Sequence, residues 1–278
     1  MKTLRQTIQD YKQTKKAIPA FNIDSFEIYQ AVESAVTETS LPCIVQLSTG
    51  EDKFIQAERL LMLVKKAQID GLPIYTNMDH GSNPDRLEKL VRFGFDMVHL
   101  DNSSLEYLNN LSQTTSFVSR VRNINPDIII EGEFNKINLV EKGISPDSFT
   151  NPEQALEFVN KTNIDLLAVS IGNLHGLSND LPEKIDLDLL SQIAMVLPDK
   201  YLTLHGGSGI SSDQITSAIK MGIVKININT DLRLSFKSNL KKILETEQSE
   251  KIYKYLDPVI SEVKKIIKEK MLLFSTES

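Results

Sequence analysis

The sequence predicts one α/β domain, residues 1–278, folded as a (β/α)8 TIM barrel with extra C-terminal helices. Eight apolar, strand-like runs alternate with helical patterns, and this alternation is typical of a parallel sheet. The chain has 278 residues, which fits the roughly 250 residues of such a barrel. An open, doubly wound sheet is the alternative. Eight units in a chain of this length favour the closed form.

The strand candidates are short runs of apolar and β-branched residues that end at polar or glycine-rich segments. They lie at 18–23, 41–48, 72–78, 95–100, 127–130, 165–172, 202–204 and 222–229. Residues 25–39 illustrate the helical pattern, with apolar side chains at Ile28, Ala31, Val32 and Val36. Further helices are predicted at 55–69, 84–93, 105–124, 152–161, 187–197 and 212–221. Residues 230–274 predict two or three more, with a break at Pro258.

Composition and charge exclude several classes of function. The net charge of −6 argues against a nucleic-acid-binding or anionic membrane surface. Cys43 is the only cysteine, so no internal disulfide can form and a reducing compartment is expected. The polar segment 1–16 lacks the apolar core of a secretory signal, and no apolar run reaches the ~18 residues of a membrane span. We therefore expect a cytoplasmic protein with no membrane partner.

Polar side chains end every predicted strand, where a barrel of this type builds its active site. In chain order they are Asn22, Ser48, Asp79, His80, Asp101, Glu131, Glu133, His175, His205, Asn227 and Asn229. Three of the four histidines are among them, and three imidazoles can hold Zn²⁺ with one position open to substrate. Each histidine alone is better read as a capped or hydrogen-bonded loop residue, whereas the three together favour a metal site. The fourth, His99, is predicted to be a satisfied core histidine, one layer deeper.

A glycine-rich turn follows the seventh strand. The segment His205-Gly206-Gly207-Ser208-Gly209 offers backbone N–H groups beside a helix start, which suits a phosphate. The polar segment Asn227–Thr230 follows the eighth strand, and barrels commonly bind phosphate at this place. The alternative is a tight turn without a ligand.

These segments resemble the class II, zinc-dependent ketose-bisphosphate aldolases, which include fructose-1,6-bisphosphate and tagatose-1,6-bisphosphate aldolases. The matching pieces keep the family's order across nearly the whole chain: residues 20–22, 79–81, 101–103, 131–133, 168–176, 205–209 and 225–227.

The resemblance implies roles for particular residues. His80, His175 and His205 would bind zinc, Asp79 would exchange a proton with the C4 hydroxyl, and Asp101 and Glu133 match an alternative metal position. Glu141 is a candidate to protonate the enediolate, although it could be a solvated loop residue. A monovalent cation, Na⁺ or K⁺, is also implied near the phosphate. The substrate-binding set is Asn22, Ser48, Gly176, Gly206, Gly207, Ser208, Asn227, Ile228, Asn229 and Thr230.

The sequence departs from the family pattern at three places. Residues 135–140 replace a glycine and a Gly-Gly pair, which changes the loop that should carry Glu141. Asn173 stands where threonine is usual, and Asn229 stands where aspartate or alanine is found. The choice of aldehyde therefore stays open.

The sequence thus predicts a zinc-dependent aldolase that cleaves a ketose 1,6-bisphosphate, with fructose 1,6-bisphosphate as the leading substrate. The products would be dihydroxyacetone phosphate and glyceraldehyde 3-phosphate. Tagatose-1,6-bisphosphate and deoxy-gluconate-phosphate-type substrates are alternatives. A non-catalytic phosphosugar-binding barrel is another alternative, favoured by the altered loop. A zinc hydrolase is weaker, because no His-x-His pair occurs at residues 21–23. The resemblance also implies a homo-oligomer, a dimer or tetramer.

Overall fold

The computed structural model describes residues 1–137, 148–174, 176 and 184–276. Its strands are β1 (Ile18–Asn22), β2 (Cys43–Leu47), β3 (Ile74–Gly81), β4 (Met97–Asp101), β5 (Ile129–Glu133), β6 (Leu166–Val169), β7 (Tyr201–Leu204) and β8 (Ile223–Ile228). Its helices are α1 (Leu4–Gln13), α2 (Phe26–Thr39), α3 (Thr49–Ile55), α4 (Ala57–Ile69), α5 (Pro84–Phe93), α6 (Tyr107–Ile124), α7 (Pro152–Thr162), α8 (Leu187–Val196), α9 (Ser212–Lys220), α10 (Thr230–Leu244) and α11 (Ile252–Ser275).

The strands form a closed parallel barrel in chain order, so the predicted fold class is confirmed. The first and last strands pair directly, with Ile18 opposite Lys225 and Phe21 opposite Ile228. This pairing leaves no open edge, and the doubly wound alternative is wrong. The main apolar core lies between the outer faces of the strands and the surrounding helices.

A second apolar cluster fills the amino-terminal end of the barrel, and α1 covers it. Leu4 and Ile8 of this helix are buried against the inward side chains of the strands. The hydroxyl groups of Thr7 and Tyr75 lie 2.8 Å apart beneath them. No helix was expected at residues 1–16, although Thr3 and Gln6 form a capping box there. Because α1 closes this end, the barrel interior opens at the carboxyl ends of the strands.

Two helix predictions are corrected. Residues 55–69 were expected to be one helix, but α3 and α4 are separated at Gln56, which has φ of 69°. The Asp52 side chain accepts a hydrogen bond from the Ala57 N–H at 2.8 Å, so the second helix starts afresh. Pro258 was expected to break the C-terminal helices, but it lies inside α11. The buried face that begins at Val259 holds the helix together despite one missing backbone hydrogen bond.

Strand β3 contains a β-bulge at the site. Met78 pairs with Val98 and Gly81 pairs with Leu100, so two residues of β3 stand opposite a single residue of β4. The two are Asp79 and His80, and His80 has a left-handed φ of 48°. Successive residues of a regular strand point to opposite faces. The bulge is therefore what lets two adjacent side chains reach the barrel interior.

Among the described residues, no helix is both long and apolar enough to cross a membrane.

Candidate active site

A pocket of about 540 Å³ lies at the carboxyl ends of the strands. Most residues predicted for the site line it: Asn22, Ser48, Asp79, His80, Asp101, Glu133, Gly176, Gly206, Ser208, Asn227, Asn229 and Thr230. His205 is fully buried beside His80. Gly207 and Ile228 do not line the pocket, and the Ile228 side chain is buried in the core. His175 and Glu141 lie outside the described residues.

His80 and His205 face each other across the floor of the pocket. Nε2 of His80 lies 2.9 Å from Nδ1 of His205. The other ring nitrogen of each residue is held by a carboxylate: His80 Nδ1 lies 2.7 Å from Asp101, and His205 Nε2 lies 2.7 Å from Glu131. Metal-binding histidines typically donate their second N–H to a carboxylate in this way.

The charges around the pair favour a cation. Burial alone would lower the pKa of His80, but the carboxylates of Asp79, Asp101 and Glu133 outweigh it and raise that pKa to about 10. Burial lowers the pKa of His205 to about 3. The proton between the two rings therefore sits on His80, with His205 Nδ1 as its acceptor. A metal ion bound by Nε2 and Nδ1 would replace this proton, so the donor set fits Zn²⁺.

Ligand atoms of two groups lie within 4.8 Å of one another: Asp79, His80, His99 and His205, and His80, Asp101 and Glu133. In the second group, His80 Nδ1 is 3.8 Å from Glu133 Oε2, a buried atom without a hydrogen-bond partner. Burial, together with repulsion from Asp101, raises the pKa of Glu133 to about 7. Asp101 is further held by Ser103, whose hydroxyl donates to it at 2.6 Å.

Asp79 lies beside the histidine pair in a ring of amides. Its Oδ1 accepts from Asn227 at 3.1 Å, and its Oδ2 accepts from Gln46 at 3.1 Å. Burial would raise the pKa of Asp79, but the positive charges on His80 and Lys225 hold it well below its usual range. Asp79 is therefore a carboxylate at neutral pH and can accept a proton.

A buried ion pair lies one layer below the histidines. Lys225 Nζ is 3.0 Å from Glu131 Oε2, and both side chains are 0% exposed. Lys225 also donates to Asn227 Oδ1 at 2.7 Å, and Thr203 donates to Glu131 at 3.0 Å. Burial would raise the pKa of Glu131, but Lys225 and the neighbouring histidines keep it far below its usual range. The pair thus fixes the carboxylate that orients His205.

The glycine-rich turn after β7 allows close backbone approach. Gly206 has φ of 64°, and a Cβ there would stand 1.9 Å from the carbonyl oxygen of Leu174. Gly207 donates its N–H to the Asn227 carbonyl at 3.0 Å, so it ties the turn to β8. Ser208 accepts from the Asp231 N–H at 3.3 Å, at the start of α10. The turn therefore lies between β8 and a helix N-terminus, as a phosphate cradle requires.

The rim of the pocket near the start of α10 also carries a charged cluster that the sequence analysis did not identify. Arg233 is ion-paired with both Asp24 and Glu51. Glu51 accepts hydrogen bonds from the Asn22 side chain at 2.9 Å and from the Ser48 N–H at 2.6 Å, since Ser48 and Glu51 form the capping box of α3. Burial raises the pKa of Glu51. Ser48 is thus a helix cap as well as a pocket residue.

Two of the three departures from the family pattern, Asn173 and Asn229, have hydrogen-bond partners in the structure. Asn173 donates to the carbonyl of His205 at 3.0 Å and accepts from the Ile171 N–H at 2.9 Å, so it supports the histidine. Asn229 lies 3.4 Å from Glu51. Lys136 and Ile137 line the pocket, whereas residues 138–147 lie outside the described ones.

His99 was expected to be a satisfied core histidine. It is fully buried in the barrel interior, as expected, but only its Nδ1 has a hydrogen-bond partner. The expectation that both ring nitrogens of His99 have hydrogen-bond partners is wrong. The nearest carboxylate oxygen to Nε2 is too far away to accept a hydrogen bond.

Gln46, His99 and Lys225 are site residues that sequence reasoning missed or undervalued. A signal was present: each lies two residues before a predicted site residue on its strand, so period-two alternation places it on the same inner face. Glu51 and Arg233 carried no comparable signal, because they come from the first turns of two helices.

The chain is similar to known proteins over nearly its whole length. The family model described as fructose-bisphosphate aldolase class-II matches residues 2–278. A fructose-bisphosphate aldolase of Thermus caldophilus is 32% identical, with 93% of each chain covered. One of Treponema pallidum is 28% identical, with 91% of this chain and 90% of the relative covered. The crystal structure of the YdjI aldolase from Escherichia coli K12 superposes with a TM-score of 0.86 at 28% identity, covering 99% of this chain and 97% of that one.

Proposed function

The chain belongs to the class II fructose-bisphosphate aldolase family, and we propose that it reversibly cleaves fructose 1,6-bisphosphate into dihydroxyacetone phosphate and glyceraldehyde 3-phosphate. His80, His175 and His205 would hold the zinc ion. The observation that carries the proposal is the His80–His205 pair, whose facing nitrogens are 2.9 Å apart beside the ionised Asp79. The relatives named fructose-bisphosphate aldolase support the choice of substrate.

When bound, zinc would act as a Lewis acid on the ketose oxygens and lower the energy of the negative charge that cleavage creates. The chain's own residues prepare the site for this ion. Asp101 and Glu131 each hold one ring nitrogen, so the other nitrogen of each histidine points inward. The Lys225–Glu131 pair keeps the second of these carboxylates ionised.

Asp79 would take the proton from the C4 hydroxyl as the C3–C4 bond breaks, and return it in the condensation direction. Asn227 and Gln46 donate to its two oxygens and fix its orientation. The lowered pKa of Asp79 keeps it in the basic form at neutral pH.

The substrate would lie across the pocket with one phosphate against the turn at Gly206 and Ser208, the two residues of the turn that line the pocket. Backbone N–H groups near Asn229 and Thr230, at the start of α10, would add to the anion site. Gly176 completes this side of the pocket. A monovalent cation near that phosphate is also part of the proposal. The aldehyde half would extend towards Ser48 and Asn229.

Protonation of the remaining three-carbon fragment is assigned to Glu141, in the loop after β5. The described start of that loop borders the pocket: Lys136 and Ile137 line it, and Ile137 donates its N–H to Glu133 at 3.4 Å. A Glu141→Gln variant should cleave more slowly while binding substrate with unchanged affinity. Unchanged turnover would remove Glu141 from the mechanism.

The experiment that tests the function is cleavage of fructose 1,6-bisphosphate by the zinc-loaded protein. A His205→Ala variant should lose zinc and activity together. Asp79→Asn should keep zinc and lose about 10²- to 10⁴-fold in turnover. Faster cleavage of tagatose 1,6-bisphosphate would identify that sugar as the preferred substrate. Zinc binding without cleavage of either sugar would favour the non-catalytic phosphosugar-binding barrel, and absence of zinc would overturn the proposal. Light scattering of the same sample tests the proposed dimer or tetramer.

A further inference from the structure

The bulge in β3 places the backbone N–H of His80 at an interruption of the pairing between β3 and β4. Asp79 and His80 together face the single residue His99 of β4, so the regular sequence of strand-to-strand hydrogen bonds is interrupted between Met78 and Gly81. A buried N–H group that lacks an acceptor is unfavourable. The N–H of His80 lies at this interruption, and it belongs to a residue with φ of 48°, which a non-glycine residue rarely adopts.

The side chain of His99 supplies an acceptor for this N–H. The His80 N–H donates to Nδ1 of His99 at 3.1 Å. Nδ1 carries no proton when it accepts this hydrogen bond, so the ring proton is then on Nε2. Nε2 lies 3.6 Å from Glu133 Oε2, and neither of these two buried atoms has a hydrogen-bond partner. Nδ1 of His99 is therefore engaged with the backbone, whereas Nε2 only faces a carboxylate.

The ring of His99 also packs under both described zinc-site histidines. Its centroid lies 4.8 Å from that of His80 and 5.1 Å from that of His205. The His99 side chain is 0% exposed, so it has no alternative position to occupy without disturbing this packing.

We propose that His99 is a positioning residue for the metal site: through Nδ1 it holds the backbone of His80 in the bulged, left-handed conformation that turns the His80 ring towards His205. The inference rests on the zinc site proposed above. It concerns the backbone of a ligand rather than an additional ligand.

Three substitutions separate the acceptor from the shape of the ring. In His99→Asn, the side-chain oxygen is attached to Cγ, as Nδ1 is, so the acceptor for the His80 N–H is kept. In His99→Gln, the polar atoms lie one bond further out, near the place of Nε2, and the acceptor is lost. His99→Leu removes both the acceptor and the ring and leaves an apolar side chain in their place.

The measurement is zinc affinity by competition with a chromophoric chelator, together with the absorption spectrum of the cobalt-substituted protein. We expect His99→Asn to stay within about threefold of the wild type. His99→Gln and His99→Leu should bind zinc about 10- to 100-fold more weakly, the usual loss when a group that orients a ligand is removed. Their cobalt spectra should shift as well, because the geometry at His80 changes.

Equal zinc affinity in the asparagine and leucine variants would overturn the inference, whether both match the wild type or both are weakened. If the leucine variant does not fold, equal affinity in the asparagine and glutamine variants overturns it in the same way. Failure of the proposed function looks different, because the wild-type protein itself would then bind no zinc. Thermal unfolding of the metal-free variants shows whether a weakened affinity reflects general loss of structure.

Discussion

Replacement of Lys225 by methionine tests the buried ion pair below the histidines. Methionine matches the unbranched lysine stem, so the change removes the charge with little loss of packing. Glu131 would then keep its hydrogen bonds to Thr203 and His205 but lose its cation. Since both charged groups are 0% exposed, water cannot compensate Glu131 in the folded protein.

The expected cost follows from that burial. Breaking a fully buried pair by removing one partner destabilises a protein by about 3–5 kcal/mol. Lys225→Met also removes the donor to Asn227 Oδ1, which adds about 1 kcal/mol. At about 2 °C per kcal/mol for a domain of this size, the melting temperature should fall by about 8–12 °C.

Urea unfolding of the metal-free protein measures this loss without interference from zinc. The matched control is the double variant Lys225→Met/Glu131→Gln, which also neutralises the carboxylate while its amide oxygen still accepts from His205. The double variant should recover at least half of the lost free energy of unfolding. A loss below about 1 kcal/mol in the single variant, or no recovery in the double variant, would refute the reasoning.

Three further predictions concern stability of the metal-free protein, measured by urea unfolding. Burial raises the pKa of Asp96 in the folded protein, so the contribution of Asp96 to the free energy of unfolding should decline as pH rises from about 4 through that raised pKa. The variant Asp96→Asn should abolish this decline. Gly206→Ala should cost at least about 3 kcal/mol, because its Cβ would meet the Leu174 carbonyl at 1.9 Å. Pro258→Ala should stabilise α11 by about 2 kcal/mol, since a backbone hydrogen bond to Lys254 can then form.

Each of these has its own control. A parallel pH profile for wild type and Asp96→Asn would show that ionisation of Asp96 does not oppose folding. Gly71→Ala, where φ is 87° but no atom lies within 4 Å, measures the backbone strain alone. An equal loss at Gly71 and Gly206 would mean that the contact with Leu174 is unimportant. An unchanged or lower midpoint for Pro258→Ala would mean that α11 does not bear the usual cost of an internal proline.

The barrel could be predicted from the sequence because each strand and helix is encoded locally. Alternating apolar runs and helical spacing are properties of short segments, and closure follows from their number. The convergence of Asp79, His80 and His205 followed from the same principle, because strand ends meet at one face of a barrel.

The bulge at Asp79 and His80 could not be predicted, because it depends on the register between two strands. Strict alternation would have sent one of these side chains outward. Pro258 was misjudged for a related reason: the local rule for proline is outweighed by the buried face of α11, which only tertiary packing creates. The Glu51–Arg233 contact joins residues far apart in sequence that no local pattern connects.

The pairing of β1 with β8 has a consequence for synthesis of the protein. During translation, β1 emerges first and cannot pair with β8, the last strand of the barrel, until that strand has also been made. Until then both flanking edges remain open to other chains, which favours aggregation. Asp79 and His80 are likewise made long before Asn227 and His205. The nascent chain therefore does not yet contain all the residues of the proposed zinc site, and pairing of strands this far apart in sequence slows folding.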